Sequence, residues 1–335
     1  MITDLLGRPI KDLRISVTDR CNFRCPYCMP AELYGARYQF LSKPEALTFS
    51  EITSVTRVLA KLGDLKVRLT GGEPLMRDNL PELVAQLSTV DGVKDLTLTT
   101  NGYLLARHAS ALKEAGLKRV TVSLDSLDDQ VFQQMNGRNF TTTKILEGIA
   151  AARAVGLAPI KINVVVQRGV NDHTIVELAR FFRDSGDIVR FIEYMDVGTR
   201  NRWSLAQVVS ADEILRRIDA ELPLEALPPN YDGEVASRYR YLDGSGEIGV
   251  IASVTKPFCG DCTRLRLSAD GKLYTCLFAS LGHDVKKLLR SGAADDEIER
   301  MIMRIWRIRS DRYSEERASL PEPRSDKVEM YQVGG

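Results

Sequence analysis

The 335-residue chain lacks any apolar run long enough to cross a membrane, and its first residues, MITDLLGRPIKDLRISV, contain no apolar stretch of the kind that directs export. It also lacks an excess of charge of either sign, since 46 Lys and Arg against 45 Asp and Glu leave a formal net charge of +1. That balance supplies no global field to draw the chain to nucleic acid or an anionic membrane, so neither is an expected partner. Any anion it binds must meet a local cluster of cations. There is no low-complexity segment and no repeat. With 44% hydrophobic and 27% charged residues, the length corresponds to one large globular unit plus a smaller one. The expected location is the cytoplasm, where thiols stay reduced, so the six cysteines are candidate ligands rather than a disulfide framework.

Those cysteines come in two groups of three. CNFRCPYC sets Cys21, Cys25 and Cys28 at the spacing C-x-x-x-C-x-x-C. FCGDCTRLRLSADGKLYTC sets Cys259 and Cys262 as C-x-x-C, with Cys276 after thirteen more residues. A closed structural zinc site takes four ligands and a disulfide set an even number, so each trio leaves a coordination position open. For the first trio the competing reading is a zinc knuckle completed by His108 or His173, which leaves the strand-end motifs below without a purpose. For the second, spacing alone leaves structural zinc and a cluster both open. Arg264 and Arg266, on one face of the same segment, favour a site that also meets an anion.

Strand-like runs at 12–18, 65–70, 95–101, 118–125, 160–167 and 188–195 alternate with helical patterns. Thr48 to Glu51 reads as a capping box, followed by Ile52, Val55, Val58, Leu59 and Leu62 on one helix face. Gly63 stops that helix, and Gly116, Gly156 and Gly186 repeat the stop. Six βα units predict a parallel sheet, either doubly wound or curled as an incomplete barrel. Beyond residue 200 the texture changes: ELPLEALPPN (221–230) reads as a linker, Asp270-Gly271 as a hairpin turn, and 284–308 as helical. The stretch EERASLPEPRSDKVEM is too polar and proline-interrupted to predict a packed element, and the chain ends in Gly334-Gly335. The expected divisions are 1–225, 226–317 and a flexible tail, 318–335.

The chemistry-bearing motifs follow the strands. CNFRCPYC lies after the first, GGEP (71–74) after the second, TTNG (99–102) after the third, SLD (123–125) after the fourth and EYMD (193–196) after the sixth. All sit at C-terminal strand ends, the face on which barrel enzymes build their sites. Alternation within the strands places Arg14 with Ser16 and Thr18, Lys66 with Arg68 and Thr70, Lys161 with Asn163, and Arg190 opposite Val189 and Phe191. With the apolar sets against outer helices, these cations point inward. They then require a compensating anion, and a polyphosphate bound by arginines supplies one.

Together SVTDRCNFRCPYCMP, RLTGGEPLMR, LTTNG, VSLDSLDD, RFIEYMDVG, FCGDCTRLRLS and the terminal Gly-Gly resemble the radical S-adenosylmethionine superfamily. Within it they are similar to the GTP 3′,8-cyclase family of molybdenum cofactor biosynthesis, over nearly the whole chain. The resemblance implies an α/β fold, an incomplete parallel (βα)6 TIM-like barrel with a smaller C-terminal α+β domain covering the open side. It implies two [4Fe-4S] clusters. One is held by Cys21, Cys25 and Cys28, with an iron left for the amino and carboxylate groups of S-adenosylmethionine. The other is held by Cys259, Cys262 and Cys276, with an iron left for the guanine of GTP. Tyr27, Gly72, Ser123 and Met195 are the implied S-adenosylmethionine contacts, and Arg14, Arg68, Thr99, Lys161, Arg190, Arg264 and Arg266 the implied GTP contacts. The implied reaction removes hydrogen from ribose carbon 3′ and joins that carbon to carbon 8 of guanine, yielding (8S)-3′,8-cyclo-7,8-dihydroguanosine 5′-triphosphate. Implied partners are an external one-electron reductant and a downstream cyclic pyranopterin monophosphate synthase, while association as a homodimer is left open. In the same family the terminal Gly-Gly reaches the active site, which assigns that role to Gly334 and Gly335. A radical enzyme acting on a peptide is the alternative, against which the inward cations count.

Overall fold

Alternation decides which face of each strand is covered. In this computed structural model, which describes residues 2–231, 233–319 and 326–334, six strands pair in parallel and in chain order. They are β1 (Asp12–Ser16), β2 (Leu65–Thr70), β3 (Val93–Thr100), β4 (Arg119–Ser123), β5 (Lys161–Val166) and β6 (Ile188–Glu193). Leu13 and Ile15, Val67 and Leu69, Leu96 and Leu98, Val120 and Val122, Ile162 and Val164, and Val189 and Phe191 are all buried in one core with the flanking helices. Each such side chain contributes about 1.5–3 kcal/mol on full burial, so a one-residue slip would expose the whole set. The first helix, Phe49–Ala60, starts at the expected capping box: Thr48 accepts from the Glu51 amide and Glu51 from the Thr48 amide.

The later strands are β7 (Leu224–Leu227), β8 (Ser237–Tyr241), β9 (Glu247–Ile251), β10 (Arg264–Leu267), β11 (Lys272–Tyr274) and β12 (His283–Asp284). They extend the same sheet instead of forming another. β10 pairs in parallel with β1 and β9 with β6, and antiparallel strands continue beyond each, in the order β12-β11-β10-β1-β2-β3-β4-β5-β6-β9-β8-β7. Both edges of the six-stranded unit are thereby hydrogen-bonded. Flat, β10 and β9 would stand roughly 34 Å apart at the usual strand spacing. Yet Arg264 and Arg266 of β10 line one cavity together with Ile251 of β9. The sheet is therefore curled, an α/β incomplete barrel.

Two readings of the pattern are corrected. The segment 221–230 is not simply a linker, because Leu224–Leu227 forms β7 and pairs with β8 between flanking prolines. The polar stretch after residue 312 is packed where it is described. Tyr313–Glu316 is helical, Lys327 is 6% exposed, and Met330–Val333 forms a turn of helix with Tyr331 and Val333 buried. Composition misled because Lys327 is neutralised at depth, its ammonium lying 2.9 Å from the Asp196 carboxylate at the end of β6.

Candidate active site

Register lines up the cations. Arg14 on β1 is paired with Arg266 on β10 on one side and Arg68 on β2 on the other, so three guanidinium-bearing residues stand in adjacent strands. Arg264, Lys161 and Arg190 join them around one cavity, with Thr99 and Asn163. All seven residues expected to meet GTP line this space. Among the described residues the carboxylates lining it are Asp12 and Glu234, against which the six cations carry a surplus of four charges. Arg68 is held by the hydroxyls of Thr99 (3.2 Å) and Thr121 (3.1 Å), and Arg190 by the Asn163 side-chain oxygen (2.7 Å). Those partners are neutral. Among the described residues, the Nε atoms of Arg14 and Arg68 are buried without a hydrogen-bond partner, and Arg14 has only Asp12 at 3.9 Å. Burial, then the neighbouring Arg266, holds the Arg14 guanidinium well below its ordinary range. A buried cation row with orphaned donors is a site for a multivalent anion.

One wall of the cavity is the second trio, Cys259, Cys262 and Cys276. Burial alone would raise the Cys262 thiol, but Arg264 and Arg309 beside it bring it down to about 6. Met195 lines the same cavity and packs beside Cys276 and Met330. The structure thus groups Met195 with the cations and the second trio.

Cys21, Cys25 and Cys28 lie apart from that lining, on the loop after β1. Phe23 anchors the loop by stacking on Phe140 at 5.3 Å, and buried Arg24 donates to the carbonyls of Cys21, Phe23 and Tyr34, each at 2.7 Å. GGEP runs alongside: the Gly72 amide donates to Thr18 (2.8 Å) and the Glu73 amide to Arg20 (2.7 Å). A Cβ on Gly72 would fall 2.3 Å from the Arg20 carbonyl oxygen, which is why glycine stands there. Tyr27 donates its hydroxyl to Asp125 at 2.8 Å, and Ser123 lies on β4 in register with Asn163. Neither they nor Gly72 line the cation cavity. Burial pushes all three thiols up, Cys21 to about 12.

The tail runs between the two regions. Tyr331 packs on Tyr34, its hydroxyl is 2.7 Å from that of Tyr38, and its backbone amide reaches the Cys28 sulfur. Arg266 donates to the carbonyls of Val333 and Gly334. Gly335 lies outside the described residues.

Several site groups carried too weak a signal in sequence to be assigned. Glu73, within GGEP, is buried, and burial lifts its carboxyl to about 7 while it accepts from the amides of Leu75 and Asn101 and the Thr100 hydroxyl. It ties the second strand-end motif to the third. Asp125, within SLD, is lifted by burial to about 6 and holds Tyr27 and the Val165 amide. Their only sequence mark was position at a strand end.

Both trios are free thiols, and among the described residues no three His, Cys, Asp or Glu side chains converge on a point that would hold a single ion. Within each trio the thiols stand near enough for the charge of one to add to burial in raising its neighbour, Cys21 and Cys28 acting on Cys25 and Cys262 on Cys276, and soft donors so gathered fit an iron-sulfur cluster at each trio. A parallel incomplete barrel with such a trio after its first strand defines a radical S-adenosylmethionine protein. A family model described as Radical SAM superfamily matches residues 15–182, and one described as Molybdenum Cofactor Synthesis C matches 187–315. The chain is 56% identical over 95% of its length to a GTP 3′,8-cyclase of Acidothermus cellulolyticus, 89% of which is covered. It is 49% identical over its whole length to one of Staphylococcus epidermidis, 99% of which is covered. It belongs to the GTP 3′,8-cyclase family. Among solved structures, SuiB of Streptococcus suis bound to its precursor peptide SuiA superposes with a TM-score of 0.57 at 17% identity, over 93% of this chain and 67% of that one, a likeness of fold. No helix among the described residues is long and apolar enough to cross a membrane.

Proposed function

We infer that the chain converts GTP to (8S)-3′,8-cyclo-7,8-dihydroguanosine 5′-triphosphate, the first step of molybdenum cofactor biosynthesis. The observation that carries this is the cavity in which, among the described residues, six cations exceed two carboxylates and one wall is a trio of thiols. When bound, a [4Fe-4S] cluster on Cys21, Cys25 and Cys28 supplies the electron that cleaves S-adenosylmethionine to the radical that takes hydrogen from ribose carbon 3′. In this reading Tyr27, Gly72, Ser123 and Met195 receive S-adenosylmethionine, Tyr27 being oriented by Asp125. Arg266, Arg14 and Arg68 meet the phosphates as one row across β10, β1 and β2, and Arg264, Lys161 and Arg190 meet them from around the same cavity. Thr99 and Asn163 keep Arg68 and Arg190 aimed without neutralising them. Cys259, Cys262 and Cys276 hold the second cluster, toward which the base is directed. An external one-electron reductant and a cyclic pyranopterin monophosphate synthase that takes the product complete the reading. A peptide substrate has no use for the buried cation row. The test is anaerobic incubation with GTP, S-adenosylmethionine and dithionite: 5′-deoxyadenosine and the cyclised triphosphate form together. Its 5′-deoxyadenosine appearing without any cyclised nucleotide would overturn the assignment.

The cation row also predicts a pH dependence. Burial, with Arg190, Arg119 and Arg68 nearby, brings Lys161 from 10.5 down to about 8. A bound triphosphate favours the ammonium. Above about pH 8 the free protein has lost that proton, so binding must take one up, and affinity falls as pH rises, by up to about tenfold per unit. Titration calorimetry at pH 9 in two buffers of different ionisation heat should register the uptake, and Lys161→Met should abolish it. Equal heats for the unsubstituted protein in the two buffers would exclude this role for Lys161.

A further inference from the structure

Two arginines and an aspartate from opposite ends of the chain meet at the backbone of the second thiol trio. Asp4 and Arg8 come from the first residues, DLLGR, closed into a tight loop by the Asp4 amide on the Arg8 carbonyl (3.1 Å) and the Gly7 amide on the Asp4 carbonyl (3.0 Å). Arg309 follows the helix Asp295–Arg307. Their side chains are 0% (Asp4), 2% (Arg8) and 1% (Arg309) exposed, and both arginines pair with one carboxylate oxygen of Asp4, at 2.6 and 3.0 Å. Asp311 adds a second carboxylate 3.3 Å from Arg309, so the four charges balance, and such a largely buried set is costly to hold together unless something nearby uses it.

What they touch is the backbone of the trio. Arg8 donates to the Cys259 carbonyl at 2.6 Å. Arg309 donates to the Cys262 carbonyl at 2.7 Å and to that of Thr275, the residue before Cys276, at 3.1 Å. All three thiol-bearing positions are thus gripped by one charged cluster. Trp306 fixes it in place, its indole N–H donating to the Arg8 carbonyl at 2.8 Å and its ring lying 4.5 Å from the Arg309 guanidinium carbon. Among the described residues the second terminal nitrogen of Arg8 is buried without an acceptor, on the guanidinium that already meets Cys259.

We propose that Asp4, Arg8 and Arg309 are positioning residues for the second cluster: they set the three thiols at its spacing, and the two guanidinium groups held against its backbone stabilise its reduced form. This rests on reading the second trio as a cluster site. A group that orients metal ligands from behind affects affinity by about 10- to 100-fold, and nearby charge moves a cluster's potential.

The experiment uses the full chain with Cys21, Cys25 and Cys28 replaced by Ala, so that only the second site loads iron. If that protein binds no iron, the cluster reading fails. If it binds iron, Arg8→Met and Arg309→Met should each speed loss of iron to a chelator by about tenfold or more and move the reduction potential, read by paramagnetic resonance, to more negative values. Arg309→Lys and Arg8→Lys should recover most of the potential. In chains with all six cysteines, the same Met substitutions should leave iron at the first site and 5′-deoxyadenosine formation in place, which shows a folded barrel. Unchanged iron retention and potential would overturn the proposal, as would loss of iron from both sites together, since that marks the cluster as general support for the fold.

Discussion

Replacing Cys21, Cys25 and Cys28 together by Ala is expected to abolish 5′-deoxyadenosine formation and to halve the iron of reconstituted protein, from about eight to about four per chain. The fold should survive. The loop is held by the Phe23 ring and by the Arg24 guanidinium on three carbonyls, and neither contact uses a thiol. Burial holds the three thiols neutral, as they also are in the unfolded chain at neutral pH, so their removal changes no ionisation on folding and should leave the thermal stability of the empty protein nearly unchanged at pH 7. The second trio lines the cation cavity, from which the first lies apart, and is untouched. Its persistence is read as the remaining iron signal and as GTP binding carried by the cation row. Any 5′-deoxyadenosine made at an appreciable rate by this variant would place the reductive chemistry at the other trio and reverse the assignment of the two sites.

How much of this was legible follows from the range of each signal. Period-two alternation is local, so six strands appeared in the sequence within a few residues of their bounds. The inward cations appeared with them, because the apolar partners Leu13, Ile15, Val67 and Leu69 left Arg14 and Arg68 no other face. The thiol trios were readable because three is an unusual count for closed sites. What pairs with what across the chain was not readable. That β9 and β10 complete the two edges of the parallel unit is decided by backbone groups two hundred residues away from some of their partners, and no side-chain pattern marks it. Glu73 and Asp125 lay inside motifs already recognised, but their work is to hold other loops through backbone amides, which has no sequence signature.

The tail was misjudged for an instructive reason. Polar composition signals disorder only when the charges have nowhere to go. Lys327 enters the protein because Asp196, itself placed by β6, is there to meet it, with Arg317 at 2.9 Å from the same carboxylate. From that anchor the chain crosses to the opposite side of the sheet, where the Tyr331 carbonyl accepts from Ser16 of β1 at 3.2 Å and Arg266 of β10 meets the next turn. A segment that spans both sides of the curl has its end positioned by both.

That end is where the second large effect is expected. Gly334 has φ +68°, in the left-handed region, and a Cβ built on it would fall 1.8 Å from the Thr70 hydroxyl oxygen. Any side chain therefore meets both backbone strain and a clash with β2, and the segment must withdraw from Arg266. Gly334→Ala, or deletion of Gly334 and Gly335, should leave the melting temperature and both clusters intact while lowering formation of the cyclised nucleotide by about 100-fold, the size of effect that a 1 Å misplacement produces. The fold is spared because Val328, Tyr331 and Val333 supply the tail's apolar burial. Adding Thr70→Ala to Gly334→Ala removes the hydroxyl from the collision but not the strain at φ, so that pair should recover part of the lost activity. Deletion should not be rescued by it. Product formation at the unsubstituted rate in both Gly334→Ala and the deletion, with GTP and reductant in excess, would show that the tail merely packs against the barrel and takes no part in the reaction.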